Sequence, residues 1–108
     1  MQKIHQVNKE EILTKLREVL DPELNYNIVD LGLVYEIKVQ KNKVKVIMTL
    51  TYPGCPLGSL VKKLVEDKLK ELTGVSEVNF QFTFTPPWDP SRMSEEVRLE
   101  LNLPFSAN

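Results

Sequence analysis

Val78, Phe80, Phe82 and Phe84 alternate with Asn79, Gln81, Thr83 and Thr85. A period of two sets the four apolar side chains on one face of a strand and the four polar ones on the other. One greasy face and one polar face describe a sheet that is covered on one side only. The expected architecture is therefore α+β, a two-layer sandwich in which helices cover one face of a small sheet.

The rest of the chain supplies the other elements. Asn8, with Glu11 three residues on, forms a capping-box pair ahead of an apolar stripe of Ile12, Leu13, Leu16, Val19 and Leu20. Asp21-Pro22 is expected to end that helix, because the residue before proline disfavours helical angles. Residues 21–30 read as a long turn. Residues 33–40 alternate, with Leu33, Tyr35, Ile37 and Val39 on one face. After a short Lys41-Asn42 turn, Val44, Val46, Met48 and Leu50 alternate again, so the two strands form an antiparallel hairpin. Pro56 is placed to open a long helix carrying Leu57, Leu60, Val61, Leu64, Val65, Leu69 and Leu72, with Gly74 as its C-terminal cap. Lys62/Glu66, Lys63/Asp67 and Glu66/Lys70 set opposite charges four apart on its outer face. Strand, long helix and the Phe-rich strand make a crossover unit. Pro86 to Pro90 form a stiff loop, and Ser94 caps a short last helix running to Leu101. The element order is α-β-β-α-β-α.

With 108 residues the chain reads as a single domain, residues 1–108 with a core at about 8–101. Fourteen basic and 15 acidic residues leave a net charge of −1. The positive excess that drives phosphate-backbone binding is missing, which argues against nucleic acid as a partner. No apolar run is long enough to span a bilayer, and residues 1–8 are too polar for a signal peptide, so the expected location is the cytoplasm. One cysteine allows no internal disulfide.

That cysteine, Cys55, lies in Tyr52-Pro53-Gly54-Cys55-Pro56, where a strand stops and a helix begins. The first amides of a helix lack partners within it and the dipole there is positive, conditions that lower a thiol pKa. The thiolate is the form that binds metals. The competing reading is a small structural core residue. Asp21 and Glu23, two carboxylates on one turn, suit acid/base or metal chemistry, against a plain helix stop with solvated acids. Asp30 is a further turn acid. Thr49 and Thr51, expected on the polar face of the second strand, offer hydroxyls to an anion or sulfide, against a role as ordinary strand residues. Trp88 and Arg92 are candidates for a functional surface, against simple packing and a surface charge. His5, the only histidine, lies in the N-terminal arm, so a Cys–His dyad is not expected, nor is a self-contained zinc site.

Asp21-Pro22-Glu23, the stretch from Asn27 through Asp30-Leu31-Gly32 to Tyr35, Met48-Thr49-Leu50-Thr51, Pro53-Gly54-Cys55-Pro56 and the run from Pro86-Pro87-Trp88 to Glu96 follow one another in order. Together they resemble a small iron–sulfur assembly family. It includes SufT-type bacterial proteins, the PaaD subunit of phenylacetyl-CoA oxygenase systems and the eukaryotic cytosolic iron–sulfur targeting factor. The resemblance implies a fold similar to the C-terminal domain of NifU-type scaffolds. It also implies an accessory, non-enzymatic role in iron–sulfur cluster assembly or transfer to apo-proteins. The family's cysteine falls on Cys55, its acidic turn on Asp21 and Glu23, and its threonines on Thr49 and Thr51. The extra C-terminal cysteines of PaaD proteins are missing here, which speaks against the oxygenase-subunit role.

Thiolates normally fill four positions around such a cluster, and this chain has one cysteine. The implied cluster is therefore transient or shared between chains. The implied partners are iron–sulfur carriers or scaffolds, apo client proteins and, for a shared cluster, a second copy in a homodimer. The alternative is an interaction adaptor that binds no cluster, with Cys55 structural.

Overall fold

The computed structural model describes residues 7–51, 54 and 56–101. Its elements are α1 (Lys9–Leu16), β1 (Val34–Gln40), β2 (Lys43–Met48), α2 (Gly58–Lys70), β3 (Glu77–Phe82), a 3-10 turn (Pro90–Arg92) and α3 (Glu95–Glu100). This is the expected order. The sheet order is β1-β2-β3, with β1 and β2 antiparallel and β2 and β3 parallel across the α2 crossover.

The apolar periodicity explains the layering. Val44, Val46 and Met48 of β2 are fully buried. Across the ladder they meet Val39, Ile37 and Val34 on one side and Val78, Phe80 and Phe82 on the other. Residues paired across a ladder share a face, so this is one continuous apolar surface. Ile12 and Leu16 of α1 and Val61, Val65 and Leu69 of α2 are buried in the same core. Burying a side chain of this size stabilises the fold by about 1.5–3 kcal/mol. The opposite face carries Glu36, Lys38, Lys43, Asn79 and Gln81, all exposed. Phe80 and Phe82 meet edge to face, with centroids 4.7 Å apart.

Several local expectations shift. α1 opens on the expected capping box: Asn8 Oδ1 accepts the Glu11 amide at 2.9 Å and Glu11 Oε1 accepts the Asn8 amide at 3.1 Å. The helix ends at Leu16, however, not at Asp21-Pro22. The Val19 carbonyl accepts the Ile28 amide at 3.0 Å and Leu20 bridges Asn27, and this pairing draws the backbone out of the helix. Leu20 is consequently 48% exposed. In β1 the alternation breaks at a bulge between Val34 and Glu36, so Val34, not Tyr35, faces Met48. α2 begins at Gly58 with Leu57 as its cap residue, leaving Pro56 ahead of the helix. Leu60 lies toward solvent, 44% exposed. The helix stops at Lys70, where Glu71 and Leu72 switch to shorter-range bonds, and Gly74 (φ +98°) turns the chain afterwards. Of the expected charge pairs, Lys63–Asp67 closes at 3.3 Å. β3 stops at Phe82, which leaves Phe84 beyond the strand and 37% exposed. Ser94 caps α3 as expected, accepting the Val97 amide at 3.3 Å.

Two interactions outside the core tie distant segments. Glu18 receives the Lys68 ammonium at 3.2 Å and lies 3.6 Å from Lys15, which in turn reaches Glu71 at 3.0 Å. The Lys68 hydrogen bond, then the Lys15 charge, holds the Glu18 carboxyl below its ordinary pKa. Gly32 (φ +75°) presses against the backbone of Arg92: a Cβ there would stand 2.1 Å from the Arg92 carbonyl oxygen.

A carboxyl with a depressed folded pKa stabilises the protein above its unfolded pKa and loses that contribution as pH falls through the folded value. The melting-temperature gap between the protein and Glu18→Gln should therefore be full near neutral pH and close as pH falls below 4.5. Gly32→Ala should cost about 3–5 kcal/mol in urea unfolding, from backbone strain and a backbone clash together. Gly54→Ala, at φ +80° but with open space around the added carbon, should cost only the strain, about 1–2 kcal/mol.

Candidate functional site

The loop between α1 and β1 is organised by side chains bonded to its own backbone. Asp21 is buried, and its Oδ1 accepts the amides of Glu23 at 2.8 Å and Leu24 at 3.0 Å. Its own amide donates to the Tyr26 carbonyl at 2.8 Å, its carbonyl accepts the Asn25 amide, and Asn25 takes φ +62°. Asp21 thus closes a tight turn, as aspartate before proline is suited to do. A second turn repeats the device. Asn27 Oδ1 accepts the Asp30 amide at 2.8 Å, while Asn27 Nδ2 donates to Asp30 Oδ2 at 2.9 Å. The Asn27–Asp30 pair closes this turn through side chain and backbone, and gives Asp30 a structural role. Arg17 Nε stands 3.9 Å from the same carboxylate.

Backbone bonds carry this loop to the end of β2. Leu33 donates to Ile28 at 3.1 Å, and the Leu33 carbonyl accepts the Thr49 amide at 2.8 Å. Thr49 is fully buried, not on the polar face, and its hydroxyl donates to the Leu50 carbonyl at 3.4 Å. Its removal from the polar face follows from its position: it lies past the last strand residue, Met48. Thr51 is half-buried. Glu23 is exposed in the first turn. Cys55, the expected centre, lies outside the described residues, as does His5. On its flanks, Gly54 takes φ +80°, in keeping with a sharp turn, and α2 begins at Gly58 with no side-chain cap. Gly58 permits close approach, since a Cβ there would meet Leu50 at 3.2 Å and Phe82 at 3.7 Å.

The third segment is the loop after β3. Trp88 Nε1 donates to the Leu31 carbonyl at 2.8 Å, which anchors the loop to residues 27–33. Asp89 caps the 3-10 turn by accepting the Ser91 amide at 2.7 Å and the Ser91 hydroxyl, and these bonds hold its carboxyl below the usual range. The Asp30 carbonyl accepts the Ser94 amide at 2.7 Å. Tyr35, the bulge residue, donates its hydroxyl to the Pro86 carbonyl at 2.9 Å, and the Arg92 guanidinium lies 4.7 Å above its ring. Three segments far apart in the chain therefore meet around Leu31, Gly32 and Leu33. The importance of Gly32 went unread in the sequence, although a Leu-Gly pair after a turn hinted at a close backbone approach. Among the described residues, no three side chains of the Cys, His, Asp and Glu types group to hold a metal ion. No helix among them is long and apolar enough to cross a membrane.

The Asp21 bonds make a test. Asp21→Ala should lose about 1–2 kcal/mol of stability, as for a helix cap, while Asp21→Asn, which keeps the accepting oxygen, should lose a few tenths. Urea unfolding of both variants decides it. Equal losses would mean that the negative charge, not the turn, is what Asp21 contributes.

Known proteins are similar to this chain. A family model described as "Iron-sulfur cluster assembly protein" matches residues 9–80. A "Fe-S protein maturation auxiliary factor" from Porphyromonas gingivalis is 43% identical over 94 residues, covering 86% of this chain and 90% of that protein. The "Fe-S protein maturation auxiliary factor YitW" of Bacillus subtilis is 35% identical, covering 88% of this chain and 94% of its own length. Among solved structures, a domain of unknown function from Bacillus anthracis superposes with a TM-score of 0.84 at 32% identity, covering 89% of this chain and 92% of the other. The two-layer α+β fold, the turn motifs and the sequence match agree, and the chain belongs to the iron–sulfur cluster assembly protein family.

Proposed function

We propose that this protein is an accessory factor that helps deliver iron–sulfur clusters to apo-proteins, acting through Cys55 and through protein contacts rather than by catalysing a reaction. The near full-length likeness to a maturation auxiliary factor carries the reading. The ligand count shapes its mechanism. Four positions around a cluster normally take thiolates, and this chain brings one. The cluster is then cargo, held transiently with a carrier or client supplying the other ligands, or shared between two copies. An incomplete ligand set favours release over storage. The fold serves this by bracing the ends of the Cys55 loop. Thr49 is clamped to Leu33 on one side, and Gly58 seats α2 against Leu50 and Phe82 on the other. Asp21 and Glu23 on the turn after α1, and Thr49 and Thr51 at the loop's start, are the supporting polar groups of this reading. The reducing cytoplasm, where a lone thiol stays free, suits this role.

Anaerobic reconstitution with iron and sulfide, followed by mixing with an apo client enzyme, tests the proposal. The expected result is a visible-range absorbance that passes to the client and restores its activity, with Cys55→Ala losing most of the transfer. Absence of cluster, of transfer and of any maturation defect on deleting the gene would overturn it. A second reading, an adaptor that carries no cluster, is favoured by the internal commitment of Asp21 and Thr49 to backbone bonds. Normal client maturation by Cys55→Ala in cells would select it.

A further inference from the structure

A groove of about 450 Å3 opens beside the candidate site, lined by Gly32, Val34, Tyr35, Pro86 and Arg92. It is a shallow, open groove rather than an enclosed cavity. Its lining mixes carbon with nearly as much polar surface, and Arg92 carries the single charge. That charge is pre-placed. Its backbone is wedged against Gly32, its flank Met93 is buried, and its guanidinium rests on Tyr35, which is itself tied to Pro86. The nearest carboxylate, Asp89, is bonded to Ser91 and feels the Arg92 charge, but it does not close an ion pair with the guanidinium. A guanidinium stacked on a ring and not closed in an ion pair presents its donors in the planar fork that matches a carboxylate.

We propose that this groove recognises an acidic side chain of a partner protein, with a neighbouring apolar side chain resting on Val34 and Pro86. One cation neutralises one negative charge. No lysine and no second arginine line the groove, so a carboxylate fits better than a doubly charged phosphate. The groove's apolar wall favours a peptide over a free anion. The site abuts Leu33, whose carbonyl holds Thr49, so a segment bound there sits next to the strand end that leads to the Cys55 loop. The proposal concerns binding alone and stands whether or not the protein carries a cluster.

The probes are two blocked dipeptides, N-acetyl-Leu-Glu-amide and N-acetyl-Leu-Gln-amide, together with inorganic phosphate. Each is titrated into the isotope-labelled full chain and followed by amide and arginine side-chain NMR. The Leu-Glu probe should shift Gly32, Val34 and Tyr35 amides and the Arg92 Nε signal saturably. The neutral Leu-Gln probe should bind about fivefold more weakly or less. Arg92→Gln keeps the Cβ and the backbone seated on Gly32, so its spectrum should stay dispersed while the Leu-Glu shifts at these amides vanish. Equal binding of the two dipeptides would overturn the proposal. So would tighter binding of phosphate than of Leu-Glu, or unchanged Leu-Glu binding by Arg92→Gln.

Discussion

β2 is hydrogen-bonded along both edges, and its inward row of Val44, Val46 and Met48 has no exposure to water. Everything else in the molecule is arranged around that row. β1 and β3 extend its apolar surface sideways, and α1 and α2 cover it. The alternation that turns apolar side chains inward puts mostly polar ones on the sheet's other face. Because α2 must carry the chain from the end of β2 to the start of β3, the connection that crosses the covered face begins at the 49–57 segment. The position of that segment, at the end of the most deeply buried strand, is thus a consequence of core packing before it is a matter of function.

A second layer of constraint is polar and mostly backbone. Asp21 and Asn27 each close a turn, Leu33 joins the loop to Thr49, and Trp88 and Ser94 join residues 85–94 to Leu31 and Asp30. Buried backbone groups must find partners, and here they find them across the chain instead of within helices. The acidic residues that a chemist would pick first are largely absorbed by this framework. Asp21 and Asp30 each hold a turn together with one of their carboxylate oxygens.

Patterns carried by a few consecutive residues were legible without a structure. The capping pair Asn8/Glu11, the Ser94 cap, the inward row of β2, the Phe80/Phe82 face and the element order all follow from periodicity or local hydrogen-bonding rules. The motif series pointed to the iron–sulfur family, to which the chain belongs. Features set by partners far along the chain were not legible. α1 stops early because Val19 pairs with Ile28. Tyr35 leaves the inward row because one residue is inserted opposite β2. Thr49 is buried because the strand ends before it and Leu33 claims its amide.

By itself, then, the sequence determined the layers: hydrophobic periodicity selects which face each strand and helix buries, and burial of apolar area dominates folding. It also determined that one chain brings one thiol. Tertiary structure alone decided which polar side chains hold the loops together. The contacts of Gly32 with Arg92, Tyr35 with Pro86 and Trp88 with Leu31 join positions more than fifty residues apart. Such pairings depend on how the layers close over one another, a property no local pattern encodes.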